Sequence, residues 1–109
     1  MSLLKAGSVK ILTSAATIQW NLGLGADAQV TLTMNGILAN PTGMVPGTEY
    51  SLKVIQDATG GRTLGFGTAY KFEGGVDPVI TAAANAVDIL TFGTDGTSML
   101  VNTIKQNLS

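Results

Sequence analysis

The sequence predicts a single all-β domain, an antiparallel β-sandwich or small barrel of the jelly-roll type. Three observations predict this class. Short β-rich runs recur about every 8–12 residues, and Gly, Pro, Asn and Asp stand between them. No apolar pattern at helical spacing lasts for three turns. The connections leave no room for crossover helices, which favours antiparallel pairing.

The first half of the chain alternates strand-like runs with turn residues. "SVKILT" and "ATIQWNL" come first, and small residues separate them. "AQVTLTM" alternates apolar and polar residues, which is typical of a half-buried strand. Asn35-Gly36 is a turn signal, and only the four residues "ILAN" follow before Pro41. "NPTGMVPG", with two prolines and two glycines, must be a loop.

The second half contains the clearest strand signals. "TEYSLKVIQD" directs Tyr50, Leu52 and Val54 to one side, and "RTLGFG" and "YKF" are shorter strands before the loop "EGGVDP". "ITAAANAVDIL" is alanine-rich but interrupted by Asn85, so we expect a turn-like or extended segment entering a strand. Asp95-Gly96 predicts a hairpin between "AVDILTFG" and "TSMLVNTIKQ".

Several residues are expected to define the turns. They are Asn40, Pro41, Pro46, Gly47, Asp57, Gly60, Gly61, Gly74, Gly75, Asp95 and Gly96. Two further glycines, Gly65 and Gly67, fall within or beside a strand, which marks a bulge or a close approach of another backbone. Packing of neighbouring subunits around a symmetry axis would produce such an approach.

The composition limits the classes of function. Charged residues make up 12% of the 109 residues and apolar types 45%, and the charged share is about half the usual one. This ratio indicates that other protein covers part of the surface, through oligomerisation or docking on a larger assembly. The six basic residues are scattered, so neither nucleic acid nor a membrane surface is an expected partner.

The chain has no cysteine and no histidine. Disulfides, zinc, haem and iron–sulfur sites, and Ser-His or Cys-His nucleophile pairs, are therefore not expected, and no cofactor is predicted. The N-terminal residues resemble neither a signal peptide nor a membrane span.

The stretch "VIQDATGGRTLGFG" has the residues of a functional loop. A phosphate loop would need a helix after its glycines, and strand-like residues follow here. A catalytic Asp57–Arg62 pair would lack a second carboxylate and a nucleophile. We interpret the stretch as a hairpin in which Asp57 or Thr59 binds backbone amides, Gly60 and Gly61 supply positive φ, and Arg62 starts the return strand.

The remaining carboxylates do not predict a metal or an enzyme. Asp77, Asp88 and Asp95 are too widely spaced for a calcium loop. An enzyme would require Asp57, Asp77 and Glu73 to meet in space, so the chain is expected not to be one.

Six residues are candidates for contacts with a partner or another subunit. They are Leu3, Leu4, Trp20, Tyr70, Ile104 and Leu108. Most aromatic residues are expected in the core, whereas Trp20 and Tyr70, beside small or polar neighbours, are candidates for exposure. Residues 1–8 are expected to be mobile or to form an N-terminal arm that orders on a partner.

Residues 30–101 resemble a module of tailed-bacteriophage virion proteins. The resemblance lies in "L-x-N-P-x-x-x-x-P-G-x-x-Y" at Leu38 to Tyr50, "Q-D-x-T-G-G-R-T-L-x-F-G" at Gln56 to Gly67, "K-F-x-G-G" at Lys71 to Gly75 and "D-I-L-x-F-x-x-D-G-T" at Asp88 to Thr97. It implies a β-rich knob of the kind found at the ends of tail or head fibres and in capsid decoration (cement) proteins, usually as a homotrimer. The module carries no catalytic motif.

The resemblance suggests two functions. Only 29 residues precede Val30, so, if Met1 is the true start, we expect a homotrimeric decoration protein. It would be made in the host cytoplasm, bind the major capsid protein on the outer surface of the phage head and stabilise the shell. If the chain is a fragment, a fibre tip is expected instead, binding a host surface protein or glycan near Trp20, Tyr70 and Asn85. No motif supports a glycan ligand.

Overall fold

The computed structural model describes residues 9–108, and these residues form nine β-strands in two sheets. The strands are β1 (Lys10–Leu12), β2 (Thr17–Ile18), β3 (Asp27–Leu32), β4 (Gly36–Leu38), β5 (Tyr50–Gln56), β6 (Leu64–Phe66), β7 (Tyr70–Lys71), β8 (Val87–Thr94) and β9 (Met99–Lys105). The large sheet has the order β1-β3-β5-β8-β9-β7, and the small sheet the order β2-β4-β6. Short 3₁₀ turns lie at Leu22–Leu24 and Glu73–Gly75.

From β1 to β7 the chain alternates between the two sheets. Each strand of the small sheet therefore connects two strands of the large sheet and takes the place that a helix has in a βαβ unit. As a result, β1, β3 and β5 are parallel to one another in the large sheet. In the same way, β2, β4 and β6 are parallel in the small sheet.

The last third of the chain completes the large sheet. β8 pairs antiparallel with both β5 and β9, and the register of the β8–β9 pair shifts between Thr91 and Phe92. β7 adds at the far side of β9 in parallel, but it pairs only with Met99 and Leu100. β1, at one edge of this sheet, and β9, next to β7 at the other edge, therefore point in the same direction.

Residues of both sheets contribute to one hydrophobic core. Ile18, Leu38 and Leu64 come from the small sheet. Alternate residues of β5 face them from the large sheet, as the sequence pattern predicts. Trp20 lies in the same core, with its ring centroid 6.5 Å from that of Tyr50 and 6.3 Å from that of Phe92. Edge-to-face packing of this kind adds to the stabilisation from apolar burial.

The prediction of an all-β fold with short strands is confirmed. The prediction of antiparallel pairing holds only for β5, β8 and β9, and it is wrong for the five other pairs, which are parallel. A parallel crossover usually contains a helix, whereas here the strands of the small sheet connect the parallel strands of the large sheet. The strand β4, Gly36–Leu38, which overlaps "ILAN", was not predicted. The alanine-rich segment contains a turn at Ala84 and Asn85, with Asn85 at a φ of 61°, and enters β8 at Val87, as predicted.

Candidate interaction surface

The loop after β5 is held by its own side chains. Asp57 Oδ1 accepts hydrogen bonds from the backbone N–H of Thr59 at 3.1 Å and of Gly60 at 2.9 Å. Its Oδ2 lies 3.0 Å from Arg62 Nη2. The hydrogen bond from Arg62 and that from Gly60 hold the pKa of Asp57 below its usual value. Gly60 and Gly61 have φ angles of 71° and 76°. The polar groups of this loop therefore stabilise a turn.

Gln56, at the end of β5, fastens the loop to the rest of the fold. Its side chain is 2% exposed. Nε2 donates to the carbonyl oxygens of Arg62 at 2.8 Å and Thr81 at 2.9 Å, and Oε1 accepts from the N–H of Arg62 at 3.1 Å. The loop leads from β5 in the large sheet to β6 in the small sheet. The interpretation as a hairpin is therefore wrong, because the two strands belong to different sheets.

Asn40 has a similar structural role in the loop after β4. Its Oδ1 accepts from the N–H of Ala69 at 2.8 Å, and its Nδ2 donates to Thr68 Oγ1 at 3.2 Å. A Cβ on Gly67 would lie 2.9 Å from the backbone nitrogen of Asn40. The close backbone approach at Gly67 thus occurs within one chain, with no symmetry axis needed to explain it.

The other predicted turn residues lie in the connections after β4, β7 and β8. Pro41 and Pro46 lie in the loop between β4 and β5, and Gly47 in that loop donates its N–H to the carbonyl of Thr94 at 2.9 Å. Positive φ angles of 81°, 69°, 71° and 94° occur at Gly47, Gly74, Gly75 and Gly96. In the β8–β9 hairpin, Asp95 Oδ1 accepts from the N–H groups of Thr97 and Ser98, and these bonds lower the pKa of Asp95.

Asp88, on the core side of β8, has a structural role that the sequence did not predict. It is 2% exposed. Its Oδ2 accepts from the N–H of Thr81 at 2.7 Å and from Gln106 Nε2 at 3.2 Å, and its Oδ1 accepts from the N–H of Asn107 at 2.9 Å. Burial alone would raise the pKa of Asp88, but these bonds outweigh burial and lower it. The signal in the sequence was a carboxylate at an inward-facing position of a strand.

Within residues 9–108, no three acidic side chains come together as a candidate metal site. Asp57, Asp88 and Asp95 each bind backbone N–H groups. A buried carboxylate–hydroxyl pair occurs on β3 and β5, where Ser51 Oγ donates to Asp27 Oδ1 at 2.7 Å. The chain has no histidine to act as a base beside this serine.

Trp20 and Tyr70 are buried, at 1% and 4% exposure, so the prediction that they line a contact surface is wrong. Trp20 packs in the aromatic core. Tyr70 donates its hydroxyl to the carbonyl of Ala39 at 2.9 Å, and burial raises its pKa. Neither ring can therefore join the exposed Asn85 in a glycan groove.

The other predicted contact residues have different positions. Ile104 and Leu108 are 36% and 42% exposed and thus accessible, and their contact with a partner stays a prediction. Leu3 and Leu4, with the predicted arm at residues 1–8, lie outside the described residues.

Exposed apolar side chains lie along both outer edges of the large sheet. At one edge, a groove of about 430 Å³ follows β1 and β2 and includes Ile11 and Leu24. We call it the β1 groove. At the other edge, a groove of about 300 Å³ lies between β9 and the segment Phe72–Val76, and it includes Val76 and Ile104. We call it the β9 groove. These four side chains are among the large exposed apolar residues of the described part of the chain, and exposed apolar patches are typical of interaction surfaces.

A third, smaller groove lies beside the loop that precedes β8. It has a volume of about 200 Å³ and is lined mainly by apolar residues, among them Pro78 and the 85% exposed Val79. No helix within residues 9–108 is long and apolar enough to cross a membrane.

The fold and its surface define a β-structured module whose polar motif residues hold its turns and whose apolar residues are presented at open sheet edges. Comparison with protein families identifies it further. Residues 25–99 match the family described as "Putative phage tail fibre C-terminal domain", and the chain belongs to this family. It is therefore a component of phage virions. A search of curated proteins finds no match.

Proposed function

We propose that this chain is the terminal module of a phage tail fibre, where it forms a homotrimer and contacts the host surface without catalysing a reaction. The observation that carries the proposal is the match of residues 25–99 to the tail fibre family. The same match supports a position on the tail over the alternative on the outer surface of the head, where the trimer would bind the major capsid protein.

The contacts of the carboxylates within the chain support a structural role for them. Asp57, Asp88 and Asp95 accept hydrogen bonds from backbone N–H groups in loops. Such carboxylates hold loops in place, and their lowered pKa values leave them ionised and poorly suited to proton transfer near neutral pH.

The low charge and the apolar edges support self-association. Charged residues make up 12% of the sequence, whereas Ile11, Leu24 and Val76 are 63%, 60% and 71% exposed. Covering such side chains with another copy removes apolar surface from water. A trimer also presents three identical surfaces to the host, so weak contacts of each copy add up to firm attachment.

Immunogold labelling of the parent phage with antibodies against this chain tests the proposed position. Gold particles at the tips of the tail fibres are the expected result. Labelling spread over the head would support the decoration function instead, and an absence of label from intact and disrupted particles would contradict both. The control is pre-absorption of the antibodies with purified protein.

Self-association and host binding are tested separately. Sedimentation equilibrium at micromolar concentration is expected to give three times the monomer mass, and a monomer would contradict the trimer. Fluorescently labelled protein is expected to bind cells of the phage's host. Loss of binding after protease treatment of the cells would identify a protein receptor, and loss after polysaccharide removal a glycan. Binding to neither intact nor treated cells would refute receptor contact.

A further inference from the structure

Both sides of the large sheet end in backbone groups that have no strand partner among the described residues. Among the described residues, β1 pairs with β3 on one side and with no strand on the other. On the opposite edge, β7 covers only Met99 and Leu100 of β9, which leaves Val101–Lys105 without a strand partner on that side within residues 9–108. An unpaired strand edge presents free N–H and C=O groups to any strand that approaches it.

The grooves along these edges are complementary in charge. The β1 groove has one charged lining residue, Lys10, and the β9 groove has one, Glu73. Both side chains are exposed. Each groove also offers large apolar side chains, Ile11 in the first and Val76 in the second. A surface that combines free backbone groups, apolar side chains and one charge fits a second surface with the opposite charge.

We propose that the β1 edge of one copy of this chain docks into the β9 groove of the next copy, so that the large sheet continues from subunit to subunit. In this arrangement Lys10 of one copy faces Glu73 of its neighbour. The proposal rests on the self-association proposed above, and it specifies which surfaces meet.

The strand directions agree with a closed ring. β1 is parallel to β3 and β5, and β9 is antiparallel to β8, which is itself antiparallel to β5. β1 and β9 therefore run the same way, and rotation about an axis along the strands keeps them parallel between copies. Two different surfaces meet at each contact, so such an interface closes into a ring when the rotation is suitable. The three residues of β1 fit within the open stretch Val101–Lys105.

A symmetric pairing of β1 with β1 is less favourable. In the register that places Lys10 of one copy opposite Lys10 of the other, like charges would face each other across the pair of strands, which is destabilising. It would also leave the β9 groove uncovered, with Val76 still 71% exposed. The head-to-tail contact covers both edges at once.

Charge reversal tests the contact. Lys10→Glu and Glu73→Lys are each expected to weaken trimer formation by about eightfold, because a ring of three copies loses three ion pairs, each worth a factor of about two. The variant with both changes is expected to return to within about threefold of the original. Sedimentation velocity over a dilution series measures this. Lys53→Glu is the matched control, because Lys53 lies in the middle of the large sheet. Unchanged circular dichroism shows that the variants fold.

Cross-linking gives a second measurement, since the chain has no cysteine of its own. A variant with Ile11→Cys and Ile104→Cys, treated with a short bis-maleimide, is expected to give covalent dimers and trimers. Neither single variant is expected to cross-link. Cross-linking of Ile11→Cys alone would establish β1–β1 pairing and overturn the proposal. Trimers that neither respond to charge reversal nor cross-link would overturn the proposed contact alone, whereas monomers in all samples would contradict self-association as well.

Discussion

Replacement of Asp88 by asparagine is expected to destabilise the fold, although the two side chains have almost the same shape. The carboxylate accepts three N–H donors, two at Oδ2 and one at Oδ1. An asparagine has one acceptor oxygen and one NH₂ group. Its best orientation keeps the oxygen toward Thr81 and Gln106 and turns the NH₂ group toward the N–H of Asn107. That N–H, 2.9 Å from the carboxylate in the native protein, would then face another donor.

The size of the effect follows from this geometry. A hydrogen bond to a charged group contributes about 1.5–3 kcal/mol, and a buried donor left without an acceptor adds a desolvation cost. Asp88 is 2% exposed, so solvent cannot replace the lost acceptor. We expect Asp88→Asn to lower the free energy of unfolding by about 2–4 kcal/mol, a large part of the roughly 5–15 kcal/mol that stabilises a typical domain.

The effect should depend on pH. Because the native hydrogen bonds lower the pKa of Asp88 from its ordinary value of 3.8, the ionised side chain binds protons more weakly in the folded than in the unfolded state. The stabilisation of the fold by ionised Asp88 is fully present above the pKa that Asp88 has in the unfolded chain. It is lost as the pH falls through the lower pKa of Asp88 in the folded chain. The difference in unfolding free energy between the native protein and Asp88→Asn is therefore expected to be largest near neutral pH and to become smaller below about pH 4.

Urea unfolding followed by tryptophan fluorescence measures this, because Trp20 is the only tryptophan and is 1% exposed. Asp95→Asn is the matched control. Both of its backbone bonds are accepted by Oδ1 alone, so an asparagine can make them too. Equal urea midpoints for Asp88→Asn and the native protein at neutral pH would refute the reasoning. A constant difference from neutral pH to pH 3 would refute the linkage to the Asp88 pKa.

Three further substitutions test the structural interpretation of the motif residues. Gly60→Ala should cost about 2–4 kcal/mol, because its Cβ would lie 2.7 Å from a backbone carbonyl oxygen, whereas Gly61→Ala, with no atom within 4 Å, should cost only about 1 kcal/mol for its positive φ. Similar melting temperatures for the two variants would contradict this. Gln56→Leu should lower the free energy of unfolding by about 2–4 kcal/mol in urea, since the backbone N–H and C=O of Arg62 lose their partner. A loss below about 1 kcal/mol would contradict this role of the Gln56 hydrogen bonds. Tyr70→Phe should cost about 1 kcal/mol for one lost hydrogen bond, and no loss of thermal stability would show that the bond contributes nothing.

The sequence predicted the elements whose signals are local. The alternation of Tyr50, Leu52 and Val54 identified β5, because the period of a strand is visible along seven residues. Asp95-Gly96 identified the β8–β9 hairpin because this turn needs a positive φ, and Gly96 has one of 94°. The all-β class followed from many such signals together.

The pairing of the strands could not be predicted in the same way. Short β-rich runs have the same composition whether they join parallel or antiparallel neighbours, so "LGF" in β6 gave no indication that it pairs with β4. The burial of Trp20 was equally hidden, because this residue follows β2 outside any strand and the period-two rule does not apply to it. Its polar neighbours in the sequence, Gln19 and Asn21, do not determine which way its ring points.

The residues that identify the family and the residues that would bind a partner are largely different ones. Asn40, Gln56, Asp57 and Asp95 carry the recognisable motifs, and each forms hydrogen bonds that hold a loop of the same chain. These motif residues therefore stabilise the fold of the chain itself and leave the sheet edges open. The apolar side chains of the β1 and β9 grooves lie mostly outside the motifs. Under the proposed function, specificity for a neighbour or a host would therefore lie at the sheet edges and in the exposed loops, where the sequence carries no recognisable pattern.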